Sequence, residues 1–222
     1  HSSTLADTGW GHHPAYLPGV DVVTERDALQ RRSLRVLVAS QVLGGAGLGA
    51  GVTVGALLAE DMLDSTSLSG LPAALFTLGS AGAALFVGGI SERRGRRPGL
   101  AAGYVAGAMG GLGIVLAAVI DNVPLLLLSM LVYGSGTATN LQARYAGGDL
   151  ARPERRGSAL STILVATTFG AVAGPNLVGP MGDLADGWGI PRLAGPFLLA
   201  SLAYLAAGAF LTVFLHPDPL LA

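Results

Sequence analysis

Polar positions crowd the first 34 residues and then give way to six long apolar stretches, at 36–59, 70–90, 100–120, 124–143, 158–178 and 193–215. Short connections that carry the charges separate them. Each stretch is about 20 residues, the length at which a helix crosses the hydrocarbon core of a bilayer. None alternates apolar with polar positions, and strands of a membrane barrel would need only about ten alternating residues. The pattern predicts an all-α membrane protein with six transmembrane helices. Residues 1–34 form a polar segment containing His12, His13, Pro14 and Pro18. No apolar core follows a basic start there, so the segment does not read as a secretory signal. Thr24 with Asp27 three residues on has the spacing of a helix cap, and a short surface helix up to Leu34 is expected to lead into the first span. The expected organisation is a polar segment 1–34, a six-helix bundle 35–216, and a linker start or tail 217–222.

Composition narrows the chemistry. The mean hydropathy is +0.58, and charged residues are 12% of the chain, about half the share of a soluble domain. There is no cysteine, hence no disulfide framework and no thiolate metal site. All 13 basic residues are arginine. Without lysine there is neither a phosphate-binding P-loop nor a Schiff-base nucleophile. His1, His12, His13 and His216 all lie outside the apolar stretches, which argues against a buried histidine metal site or a serine–histidine protease in the membrane. No Asn-Pro-Ala triplet of a water channel occurs. A net charge of −1 gives no pull toward nucleic acid. The reading is therefore a non-enzyme with no catalytic residue, metal or cofactor, whose medium is the lipid bilayer.

Arginine placement orients the chain. Arg26, Arg31, Arg32 and Arg35 precede the first span. Arg93, Arg94, Arg96 and Arg97 separate the second and third. Arg144, Arg152, Arg155 and Arg156 separate the fourth and fifth. Only Arg192 falls on the other side, among Glu60, Asp61, Asp64, Asp121, Asp183 and Asp186. Both termini are thus expected to be cytoplasmic, in a multi-pass protein of the inner membrane. Gly47, Gly51 and Gly55, and likewise Gly103, Gly107 and Gly111, recur every fourth residue. Such stripes predict close helix–helix approach in lipid.

The connection between the second and third stretches reads Gly88-Gly-Ile-Ser-Glu92-Arg93-Arg94-Gly95-Arg96-Arg97-Pro98. This resembles the signature loop of the major facilitator superfamily, Gly-x-Leu-Ala-Asp-Arg-x-Gly-Arg-Arg/Lys. Gly88, Arg93, Gly95, Arg96 and Arg97 match, while Glu92 stands for the usual Asp and Ile90 for the usual Leu. The resemblance implies the amino-terminal six-helix bundle of the major facilitator fold, made of two inverted three-helix repeats. In that family the loop latches two halves together on the cytoplasmic side. It also gives the residues roles: Gly88 for close helix approach, Glu92 as acceptor at a facing helix N-terminus, Arg96 as a fork for a carboxylate. Asp149 is the expected partner of Arg96, with Arg156 joining the cluster.

In the fifth stretch, Gly170-Ala-Val-Ala-Gly174-Pro175-Asn176-Leu-Val-Gly179-Pro180 is similar to the Gly-Pro motif of the family's antiporters. Gly170, Gly174 and Pro175 match, and the terminal glycine pair becomes Gly179-Pro180. Met130 departs from the pattern, since antiporters often carry an arginine there, ahead of a Gly-x-Gly pair matched here by Gly134 and Gly136. The embedded polar and aromatic residues Gln41, Tyr133, Asn140, Phe169 and Asn176 are the solute-cavity candidates, with bonding or packing between helices as the competing reading of each. The implied function is secondary active transport, by alternating access, of a small amphipathic solute, through export or antiport with protons as a candidate coupling ion. Family members usually have two such halves, and His216-Pro-Asp-Pro-Leu-Leu-Ala222 resembles the start of a central linker. The chain is therefore expected to work with a carboxy-terminal half or with a second copy of itself. A six-span scaffold or a truncated relic that transports nothing is the alternative.

Overall fold

The computed structural model describes residues 18–64, 68, 70–149, 151–216, 218 and 220, with the backbone alone for 18–27. These residues form seven α-helices and no strand. They are α1 (Pro18–Leu63), α2 (Leu71–Arg94), α3 (Arg96–Val119), α4 (Val123–Ala146), α5 (Pro153–Asn176), α6 (Val178–Asp186) and α7 (Gly195–Phe214). A 3-10 turn, Arg192–Ala194, precedes α7. At about 1.5 Å per residue, the 24-residue helices are about 36 Å long, enough to cross a membrane.

Two expectations change. Helix α1 runs unbroken from Pro18, so Thr24 and Asp27 fall inside it rather than at the start of a helix. The count is seven helices rather than six, because the chain breaks after Pro175. The α5 helix ends at Asn176, and α6 restarts at Val178 as an extra nine-residue helix. Proline has no N–H to donate and its ring crowds the preceding turn, so the last turn of α5 closes through the Leu177 N–H to Ala173 O at 3.1 Å.

Five helices are long and apolar enough to span: residues 28–63 of α1, then α2, α3, α5 and residues 192–214 with α7. The α4 helix matches them in length but not in hydropathy. Its polar residues Ser129, Ser135, Thr139 and Asn140 are buried, so they face protein rather than lipid. A polar stripe that packs inward costs little in lipid if its hydrogen bonds are made within the bundle.

The α1 helix packs along α5 and α7, α3 along α4 and α7, and α2 along α4. At the centre sit four buried rings, Tyr104, Tyr133, Phe197 and Tyr204. Tyr133 has its ring centroid 5.5 Å from both Phe197 and Tyr204, and 5.3 Å from Phe76. These separations fall in the range of favourable aromatic contacts.

The glycine stripe of α1 serves those rings. A Cβ on Gly47 would meet the Tyr204 ring, one on Gly51 the Tyr133 ring, and one on Gly55 the Phe76 ring. Direct backbone approach occurs elsewhere, where α1 crosses α5. A Cβ on Gly170 would strike Val42 O and Ala46 N; one on Gly174 would lie 2.6 Å from Ala46 O. From the other side, a Cβ on Gly49 would lie 2.7 Å from Ala171 O. The match between Gly45, Gly49, Gly170 and Gly174 is the small-residue contact by which helices associate in lipid.

Candidate functional site

Helix α2 carries Arg93 and Arg94 in its last turn, and one residue, Gly95, separates it from α3. Gly95 has φ +98° and ψ 167°, a conformation closed to residues with a side chain. It is also a place without room: a Cβ there would run into the carboxylate of Asp218. That carboxylate caps α3. The Arg96 N–H donates to Asp218 Oδ1 at 3.0 Å, and the Arg97 N–H to Oδ2 at 2.7 Å. The first amides of a helix lack partners within it, and here a residue beyond α7 supplies them. Beside it, Arg97 Nη1 lies 3.4 Å from His216 Nδ1.

The Arg96 side chain turns to the end of α4. Its Nε donates to Asp149 Oδ2 at 2.8 Å and its Nη2 to Oδ1 at 3.4 Å. This is a side-on, two-point contact, and both side chains are about one-fifth exposed, at 20% and 19%. Asp149 is held in a turn after α4 by its own N–H to Ala146 O at 3.3 Å. One loop thus joins four helices: α2 and α3 through Gly95, α4 through Asp149, and the end of α7 through Asp218.

The remaining loop residues take less part in contacts within the bundle. Glu92, Arg93 and Arg94 are exposed and make no ion pair among the described residues. Arg156 lines a cleft of about 360 Å³ with Asp149, Tyr145 and Leu220 but forms no ion pair with Asp149. Gly88 has no close neighbour: a Cβ there would meet only Gln142 Nε2, at 3.6 Å. The tight spot between α2 and α3 is Gly99, where a Cβ would strike Ser91 Oγ and lie 2.9 Å from Val87 O. Gly179 falls in α6 rather than α5 and has nothing within 4 Å of its would-be Cβ.

The solute-cavity candidates fall into two groups. Gln41, Tyr133 and Asn140 are buried in the interior of the bundle and spend their hydrogen bonds there. Gln41 Nε2 donates to Asn140 O and to Thr167 Oγ1, both at 3.0 Å. Tyr104 OH donates to Gln41 Oε1 at 2.8 Å. Asn140 Nδ2 donates to Gly136 O at 3.0 Å and Gly44 O at 3.2 Å. Tyr133 OH donates to Gly47 O at 2.6 Å. This knot ties α1, α3, α4 and α5 together, and Tyr104 and Thr167 are members that sequence reading missed. Of the other two candidates, Phe169 is 69% exposed, and Asn176 is exposed with its amide bonded to Val172 O of its own helix at 2.7 Å.

A groove of about 580 Å³ opens instead between α1, α2 and α4. Val52, Phe76, Ser80, Thr137, Gln142 and Tyr145 are among its walls, and none of the five candidates is. Gln142 Nε2 donates to Ala84 O at 2.9 Å, while its Oε1 has no partner among the described residues. Hydroxyl and amide groups among apolar walls suit a solute that is part polar and part apolar.

The sequence pattern of the Major Facilitator Superfamily matches residues 37–221. The chain belongs to the Major Facilitator Superfamily. It is 53% identical over 208 residues to the uncharacterized MFS-type transporter YddS of Bacillus subtilis (strain 168), covering 93% of this chain and 48% of that protein. It is 57% identical over 196 residues to the uncharacterized MFS-type transporter YdeG of the same organism, covering 88% of this chain and 46% of that one. The riboflavin transporter RfnT of Brucella anthropi is more distant, at 29% identity over 150 residues, 67% of this chain and 37% of that protein. No solved structure matches. The chain spans about half the length of the two Bacillus relatives. Family and apolar helices together make this superfamily member an integral membrane protein.

Proposed function

We propose that this superfamily member is one six-span half of a secondary transporter that moves a small amphipathic solute by alternating access. In this reading α1 to α5 and α7 cross the inner membrane, and both termini and the arginine-rich loops are cytoplasmic. The solute sits in the groove between α1, α2 and α4, and the wall opposite comes from a carboxy-terminal half or a second copy. The observation that carries the proposal is the Arg96–Asp149 pair on the Gly95 hinge. A charge pair at the membrane edge, part exposed, can break and re-form as a bundle rocks, without leaving a charge in hydrocarbon. A loop that tied helices only for stability would need no such pair, because surface ion pairs contribute little.

The partial Gly170-Gly174-Pro175 motif is what supports export or antiport in this reading. Proton coupling, if the transporter uses it, draws on residues elsewhere in the chain or in the other half, since buried Met130 stands where antiporters carry arginine. The RfnT relative makes riboflavin the first solute to assay. The test is solute flux in proteoliposomes with an imposed pH gradient, comparing the protein with its Arg96→Ala variant at equal insertion. Flux that drops severalfold supports the latch, and undiminished flux overturns it. A protein that carries none of a broad solute panel would be the scaffold or relic instead.

A further inference from the structure

The start of α5 and the arginine-bearing part of α1 enclose a cleft of about 360 Å³, walled by Gln30, Arg31, Leu34, Arg152, Arg155 and Ser158 among others. Among the described residues that line it, three are arginine and none is acidic. Arg31 and Arg155 are exposed and have no acidic partner among the described residues. Arg152 has interactions of its own, which leaves Arg31 and Arg155 as the arginines of the cleft without an acidic partner among the described residues. The contrast with the signature loop is plain: there Arg96 and the α3 amides spend themselves on Asp149 and Asp218.

Guanidinium groups drawn to one cleft repel each other unless an anion lies between them, and their planar forks match phosphate oxygens. The Ser158 hydroxyl adds an uncharged donor. Depth points to the source of the anion. Directly beyond the cleft both helices turn apolar, and Val42, Leu164 and Val165 are exposed on them. A headgroup held by the arginines would leave its acyl chains along that surface. We propose that this cleft binds the phosphate of an anionic glycerophospholipid. Basic pockets between spans at a membrane face are suited to such headgroups, and this reading stands whether or not the chain transports anything.

The test is native mass spectrometry of the full chain in detergent, titrated with dioleoyl-phosphatidylglycerol, with the phosphatidylcholine analogue as reference. In the Arg31→Gln/Arg155→Gln double variant, phosphatidylglycerol binding should weaken about tenfold with phosphatidylcholine binding unchanged. An Arg32→Gln/Arg35→Gln variant removes equal charge from the same level of α1 but outside the cleft, and should bind like the parent. Matching helical melts in phosphatidylcholine check that both variants fold. Equal weakening in the two variants would mean diffuse charge and overturn the site, as would no weakening in either. Displacement of the lipid by millimolar inorganic phosphate would make this a free-anion site and overturn the lipid assignment.

Discussion

At the residue scale, Gly95 does two things that no other residue can do together. Its positive φ lets α2 pass to α3 in one step, and its missing side chain admits the Asp218 carboxylate. Gly95→Ala should therefore destabilise the protein by about 1–3 kcal/mol, read as a lower melting temperature in detergent. The loss should be smaller for Asp218→Ala, about 1 kcal/mol, as for other helix N-caps. Tyr104→Phe deletes one donor from the polar knot and should cost about 0.6 kcal/mol, the average for hydrogen bonds between membrane helices. If Tyr104→Phe melts as the parent does, the Tyr104–Gln41 bond contributes nothing measurable. The pattern of the loop made Gly95, Arg96 and Arg97 visible, because the spacing is dense in unusual residues. Asp218 was not legible, because it lies 122 positions away from Arg96 and nothing local marks it.

At the scale of elements, glycines that look alike in sequence differ in what they face. Gly174 lies against the α1 backbone, and Gly179 faces open space. Gly174→Ala should lower the melting temperature clearly, because the neighbour is backbone and cannot swing away, whereas Gly179→Ala should leave it unchanged. Equal effects of the two substitutions would refute the α1–α5 contact described here. The amphipathic α4 teaches a related point. Its Ser135 and Asn140 weaken the hydropathy of the helix, yet they are what lets it bond to α3 and α1 from inside the bundle. Hydropathy along the chain cannot tell a polar residue that faces protein from one that faces water.

At the scale of the molecule, the arginine asymmetry and the latch are the properties to measure. The protein has no cysteine of its own, so single cysteines report cleanly. In intact cells, Asp183→Cys should react with a membrane-impermeant maleimide, and Arg93→Cys should react only after permeabilisation. The reverse pattern would invert the proposed topology. Asp149→Asn should reproduce the transport defect of Arg96→Ala, and the double variant should be little worse than either, as expected for two groups acting as one pair. Defects that simply add would separate the two residues.

Length, apolarity and arginine placement are local or summed quantities, so the sequence by itself determined an all-helical membrane chain, its family loop and the expected orientation. The Gly-Pro motif likewise marked the fifth stretch, but the break after Pro175 that adds α6 was not read from it. Which helix meets which was decided by the tertiary structure, because pairing depends on faces, and the same glycine spacing serves a ring in one place and a backbone in another. The fate of Gln41, Tyr133 and Asn140 was decided there too. An embedded polar side chain has to find a partner, and only the folded bundle reveals that the partner is another helix. The groove itself opens where α1, α2 and α4 leave a gap, a shape that no single stretch of sequence contains.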